Sequence, residues 1–369
     1  MNLKERPYQL FFPLALAGAL ALSLPWIGVL PLIQRLLPGS FPAFPKAMHI
    51  DAALQWFLLP AATGFLLTAL PRIHGKNLQR QSAVVALFLI ELSGFPLLLA
   101  GVEYSLGLSM LLLFALTLFF YARGNARPVF SIPILAGVAT GFAGALWRTL
   151  DPEGSGTALI VYGMMPLLIG GAGGMLVIPM SDFPAKPEWK ARLESNPRWL
   201  VWLVALVFAA TAVPGVTVVF SWIQAAIASL CGVAFLHLHQ PKWFKTMQAR
   251  LFYTGAMSMV LGLWCMALFP GYRVHMAHLL LAGGLSAAIA AVMVQVVLSH
   301  GGHVMRPLPG SRLLFACGAL LLVAAITRIS AALIPSMYLS HLSYAAMAFA
   351  TAWVLWIIAF AKKIPHNPS

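Results

Sequence analysis

The chain has 369 residues, 61% of them hydrophobic and only 9% charged, where an ordinary soluble domain carries about 25% charged residues. That excludes a soluble globular fold. With a mean hydropathy of +0.88 and apolar runs of roughly 20 residues recurring throughout, the remaining class is an all-α polytopic membrane bundle. Lys and Arg outnumber Asp and Glu by 23 to 9, a net charge of +14. Short cytoplasmic loops produce such an excess, whereas nucleic-acid binding needs basic runs interleaved with stacking aromatics. None is present, so the bilayer is the expected partner and nucleic acid is not.

In chain order the apolar runs predict twelve spans, at 8–30, 49–71, 81–100, 104–122, 129–148, 157–180, 199–216, 219–239, 250–269, 276–299, 312–330 and 337–361. The basic segment Met1 to Tyr8 leads into the first run without a small-residue cleavage pattern and reads as the start of an uncleaved span. The stretch 199–239 is too long for one crossing and is divided at Val213–Pro214–Gly215. With the N-terminus, the even-numbered loops and the C-terminus on one side, 18 Lys and Arg fall there. The other side keeps five: Arg35, Lys46, Arg148, Arg273 and Arg328. That asymmetry places both termini in the cytoplasm. No loop is long enough for a soluble domain, so residues 1–369 are expected to form one integral membrane domain.

Cys231, Cys265 and Cys317 lie inside apolar runs with no CxxC, which argues for core residues rather than a thiolate site. The histidines carry more information. His49, His275, His278 and His341 fall at the outer ends of spans, with Asp51 beside His49. His74, His237, His239, His300 and His303 fall at or after the inner ends. A polar ring at a membrane boundary can simply face water. Yet His275 and His278, three apart, share one helical face, and neutral imidazole is the commonest metal ligand. His237 and His239, two apart, diverge on a regular helix, so only a helix end or loop brings them to one ion. His49 to His74 and His275 to His300 are both 25 residues, each followed by Gly, a weak sign of a repeat.

Glu91 is predicted to lie mid-span, and intramembrane carboxyls default to a functional reading, here a proton relay or a neutral acid that donates a hydrogen bond. The spacing Gly137-x3-Gly141 and the cluster Gly170, Gly171, Gly173 and Gly174 suit close helix packing. As phosphate loops they fail, because no Lys-Ser/Thr follows.

These motifs carry a family resemblance. His49-x14-GFLLTALP, ending at Pro71, resembles the His-Ala-His segment and GFLLTAVP stretch of the NnrS family in ungapped register. HLLLAGGLSAAIAAVMVQVVLSHGGH, His278 to His303, is similar to that family's HALTVGAIG…AVM…GHTGR segment. IGGAGGMLVIPM, Ile169 to Met180, is a looser match to its GGRVIPFFT stretch. The resemblance implies a twelve-span bacterial inner-membrane protein that binds haem and copper and protects cells from nitric oxide stress. His49, His278 and His300 are the matching positions. Asp51, Met175 and His303 stand where the family has a histidine and two arginines.

A b-type haem needs axial imidazoles, an apolar slot and cations for its propionates. His49, His275 and His278 offer the first, with Asp51 as a partner for a ring nitrogen. Arg148 and Arg328 are on the same side and suit carboxylates, although each also suits an interfacial anchor. His49 and His278 are the metal candidates at haem iron; for copper the candidates are His237, His239, His300 and His303, with His74 as an addition and Met305 as a soft ligand. Nitric oxide or another diatomic would then be the ligand, and the electron partner is left open. The competing reading is a metal-free twelve-span secondary transporter, with helices broken at sites such as Phe95–Pro96. A redox enzyme resembling the haem-copper oxidases is disfavoured, since no adjacent His pair faces a His-x-x-x-Tyr unit.

Overall fold

The structure is a computed structural model that describes residues 5–27, 46–77, 80–99, 104–150, 155–181, 195, 197–213, 218–240, 245–300 and 311–364. Among these residues there is no strand, and twelve helical rods follow one another. They are α1 (Tyr8–Ala21); α2 (Lys46–Ala52, Ala53–Leu58 and Leu59–Ile73 in one run); α3 (Gln81–Leu99); α4 (Tyr104–Arg123); α5 (Ser131–Leu150); and α6 (Ser155–Ala158, Leu159–Met164 and Met165–Ser181 in one run). Then come α7 (Arg198–Ala210); α8 (Val218–Ala234); α9 (Met247–Leu268); α10 (Arg273–His278, Leu279–Leu285 and Ser286–His300 in one run); α11 (Arg312–Leu333); and α12 (Tyr338–Phe360).

Eight described helices are long and apolar enough to cross a membrane, and shorter apolar helices accompany them. The division of the long stretch 199–239 occurs, but α7 has only 13 residues and α8 only 17. The first helix ends at Ala21, short of the expected 30, and passes into a 3-10 turn at Leu24–Trp26. α3 runs through Pro96 without a break, contrary to the transporter expectation. Large apolar side chains that remain exposed, such as Leu89, Leu118, Leu206, Phe315 and Ile358, are the lipid-facing surface of such a bundle.

The helices form three successive quartets with the same packing. The first lies along the second (α1 on α2, α5 on α6, α9 on α10), the second meets the third, and the third meets the fourth. The quartets join at α4 with α5, at α8 with α9, and at α12 with α1. A bond from the Gln9 amide to the Ile364 carbonyl, 2.9 Å, ties that last junction. The second helix of each quartet lies innermost. The apolar windows of α2, α6 and α10 are 89%, 78% and 89% buried, against 33–56% for the other five long spans.

The same three helices each contain one π-helical stretch, at Ala53–Leu58, Leu159–Met164 and Leu279–Leu285. A π turn carries one residue more per hydrogen-bonded ring, widens the helix, and is often found at functional sites. The widened backbone needs room. The preceding helix supplies a glycine each time: a Cβ on Gly18 would overlap the Trp56 carbonyl, one on Gly141 the Met164 side chain, and one on Gly262 would fall 2.7 Å from Leu280 N. The expected close packing at Gly137 and Gly141 is therefore seen, and Gly171 packs on α5 in the same manner. Gly170 has nothing within 4 Å.

Candidate cofactor site

Five segments converge at the end of the bundle expected from the charge count to be the outer one: the turn after α1, the starts of α2 and α10, and the ends of α5 and α11. His49, in the first turns of α2, has its Nδ1 at 3.2 Å from the Leu22 carbonyl and 3.1 Å from the Trp26 indole nitrogen. The Trp26 ring stands edge-on at 5.5 Å. Neutral imidazole has one donor and one acceptor nitrogen, so Nδ1 serves one of these neighbours at a time. Donation to Leu22 is the tautomer that leaves the Nε2 lone pair for a metal.

At the start of α10 the two histidines differ in role. His278 presents Nδ1 to the Val274 carbonyl at 2.8 Å. A carbonyl only accepts, so Nδ1 bears the proton and Nε2 is the lone pair. His275 has Nδ1 at 2.6 Å from the Arg328 guanidinium, which only donates. His275 therefore accepts at Nδ1, its Nε2 carries the proton, and it is not an Nε2 ligand in this arrangement. It positions Arg328, which also lies over the Tyr338 ring at 5.9 Å. The imidazole of His278 lies within electrostatic reach of His49, His275 and Arg328. One site thus draws on α2, α10 and α11.

Asp51 is two residues before the π stretch of α2. It pairs with Arg148 of α5, while the ring nitrogen of His49 that it was expected to support is met by Leu22 and Trp26. Both pair members are largely buried, at 9% and 14% side-chain exposure. Arg148 Nη1 is buried with no partner, a donor in position for another carboxylate. His278 sits immediately before the π stretch of α10, and His49 lies four residues before that of α2.

The inner histidines are dispersed. At the end of α10, His300 has Nδ1 near the Val296 carbonyl, 3.1 Å, and the Ser299 hydroxyl, 2.8 Å. Its Nε2 is buried without a partner, and its ring stands edge-on to Tyr8 at 5.9 Å. His237 adopts φ +51° beyond the end of α8, and that bend brings its ring to 5.9 Å from His239. The helix end thus does what a continued helix would not. His303 and Met305 lie outside the described residues. Among the described residues, no three His, Cys, Asp or Glu side chains converge as a metal site. Glu91 is fully buried on α3 and accepts a 2.7 Å bond from Thr63 Oγ1 of α2.

His74 has a structural task. Its Nδ1 donates to the Ala126 carbonyl at 2.8 Å, and its own carbonyl accepts from Asn125 and Ala126. The ring packs on Phe120 and Tyr121, so it latches the end of α2 to the segment after α4. Burial, helped by the Arg127 charge, holds its pKa below the ordinary 6.5. A depressed histidine pKa favours the neutral form in the fold. Its contribution is full above pH 6.5 and is lost as pH falls through the folded value. Asn at 74 can keep the donor at the Nδ1 position but does not titrate. His74→Asn is therefore expected to shrink the loss of melting temperature between neutral pH and pH 5.5 in detergent; an unchanged loss would assign the acid sensitivity elsewhere.

Sequence reasoning missed Trp26, the Leu22 carbonyl, Gln55 and Tyr8. Trp26 carries a faint signal, an aromatic just before the loop that leads to His49. A carbonyl carries none. A family model described as NnrS protein matches residues 2–365, nearly the whole chain. No curated protein shows significant similarity to it.

Proposed function

The chain belongs to the NnrS family, and on that premise we propose that it is a haem protein of the bacterial inner membrane that acts in the nitric oxide response. A b-type haem would be held at the outer site by His49 of α2 and His278 of α10. The observation that carries this reading is the shared polarity of the two imidazoles. Each has Nδ1 at a backbone carbonyl, Leu22 or Val274, which orients the ring and directs the Nε2 lone pair away from its own backbone, as in metal-ligating histidines. The donor set fits the group, since imidazole suits haem iron and guanidinium suits propionates.

In this reading Arg148 and Arg328 bind the two propionates, Arg148 through the Nη1 left over from Asp51. Asp51 keeps Arg148 extended toward the site. Trp26 covers His49 and limits water at its ring. A haem held there by His49 and His278 would supply an iron able to bind nitric oxide or another diatomic ligand. Such ligands partition into the bilayer, so a site among apolar helices needs no aqueous channel. Of the two histidines, His49 would be held less firmly in the ligating tautomer, because Trp26 offers its Nδ1 an alternative bond that stabilises the other tautomer. Copper belongs to the inner level in this proposal, with His300 Nε2 as the donor at hand and His303, His237 and His239 as the remaining candidates.

The test is the visible spectrum of purified protein expressed with ample haem, with metal analysis on the same sample. His278→Ala is expected to abolish the Soret band and His49→Ala to convert or abolish it. His275→Ala is expected to retain it, since His275 bonds Arg328 and not the iron. A colourless wild type would overturn the haem reading and move the metal-free transporter to first place. Loss of the band in His275→Ala with retention in His278→Ala would reverse the ligand assignment.

A further inference from the structure

The seam between α2, α3 and α4 contains a set of buried polar groups that the outer site does not use. Glu91 is fully buried, Ser109 is fully buried and Gln55 is 2% exposed. Each keeps one polar atom without a protein partner: Glu91 Oε2, Ser109 Oγ and Gln55 Oε1. Buried polar atoms are rarely left so, and ordered water is the usual remedy. Three in one seam call for an explanation.

Their relative placement follows from the helical register. The Gln55 amide of α2 donates to Ser105 Oγ of α4 at 2.7 Å, and Gly94 of α3 abuts Gln55 Oε1 and the Ser105 hydroxyl. The three helices therefore cross at this level. α3 runs toward the outer end and α4 away from it. Glu91 precedes Gly94 by three residues and Ser109 follows Ser105 by four, so each lies one turn, about 5.4 Å, deeper on the face that meets Gln55. Thr63, eight residues past Gln55 on α2 and so about two turns deeper, donates to Glu91 from below.

On the far side of this level the polar groups are spent on their own backbones. Thr68 bonds the Gly64 carbonyl and Thr117 the Leu113 carbonyl, among the buried Leu66, Leu67, Leu70 and Phe120. The unpartnered atoms run from Glu91 toward the outer end. There Asp51, four residues before Gln55 on α2, marks the level of the histidines. Thr63 donates to Oε1, so the acid proton resides on Oε2, the oxygen that lacks an acceptor. No described cation stands beside Glu91 to hold it as a carboxylate, and an unpaired charge at this depth is costly.

We propose that Glu91 is a proton store for the outer site, joined to it by water that bridges Ser109 Oγ and Gln55 Oε1. In one transfer the proton leaves Oε2 for the first water, and the chain delivers one proton at the outer end. The carboxylate so formed keeps the Thr63 hydrogen bond, and the reverse hop restores the acid. No electron moves and no bond other than O–H is made or broken. The use of that proton rests on the haem reading; the exchange between Glu91 and water does not.

The experiment is infrared spectroscopy of the full-length protein in liposomes on transfer from H2O to D2O buffer. One protonated-carboxyl C=O band is expected, absent in Glu91→Gln, that shifts within minutes in the wild type. Ser109→Val, Gln55→Leu and Gly94→Ala are each expected to slow that shift by an order of magnitude. Gly94→Ala keeps every polar group but drives its methyl against the Gln55 amide oxygen, and Ser109→Ala serves if the larger residue unfolds the seam. Three results would overturn the proposal: no such band in the wild type, a band that stays unshifted for days, or equal rates in all blocking variants. The Soret spectrum of the same samples reports the haem reading separately. Fast exchange in a colourless protein would end the cofactor assignment and leave the proton connection standing.

Discussion

Arg148→Met or Asp51→Leu alone is expected to lower the melting temperature in detergent by on the order of 5–10 °C, from a loss of about 3–5 kcal/mol. The pair joins α5 to α2 where little water reaches it, at 14% and 9% side-chain exposure. Either single change leaves a charge desolvated without its partner. Arg148 already has one nitrogen unsatisfied, so removing Asp51 strips a second contact from a guanidinium that cannot lose its charge. The double variant is expected to be more stable than either single one, because two apolar side chains of similar volume remove the desolvation cost altogether. Thermal melts of the four proteins decide it. Singles that melt with the wild type would show a solvated pair, and a double variant no better than the worse single would show independent contributions.

Gly18→Ala is the second large effect. The added methyl overlaps the Trp56 carbonyl and side chain within the π stretch of α2, and backbone cannot move aside as a flexible side chain does. Overpacking of this kind costs about 1–3 kcal/mol even where side chains yield, so this change is placed at or above the upper end. The consequence extends to the site. Gly18 is four residues before Leu22, whose carbonyl meets His49, and eight before Trp26. Forcing α1 away withdraws both supports, and haem retention is expected to fall with stability. Gly107→Ala is the control: nothing lies within 4 Å of its Cβ position, and Ala is favoured over Gly in a helix by roughly 0.5–1 kcal/mol. It is expected to melt at or above the wild type. Equal behaviour of the two variants would mean that the α1–α2 approach is looser than the structure has it.

Composition was enough to establish a helical membrane bundle, because apolar runs with so few charges have no other stable use. The pattern of histidines at span ends also marked His49, His275, His278 and His341 as the outer group. It could not separate His275 from His278. Their spacing puts both on one face, and the difference lies in the groups opposite them: Arg328, 53 residues away in the chain, against a carbonyl one turn back. Glu91 was legible as an intramembrane acid, but the orphaned atoms of Gln55 and Ser109 were not. Polar residues inside apolar runs look alike until the neighbouring helices satisfy some and leave others.

The sequence by itself determined the class of the fold, the division into helices and the family, since these depend on local hydrophobicity and on motif residues in register. Only the tertiary structure decided the three quartets, the π stretches and the pairing of Asp51 with Arg148. A π turn leaves no hydrophobic period of its own to read, and it persists because a glycine on the neighbouring helix makes room for it. The proton on each imidazole is likewise settled by whichever donor or acceptor the fold places against the ring.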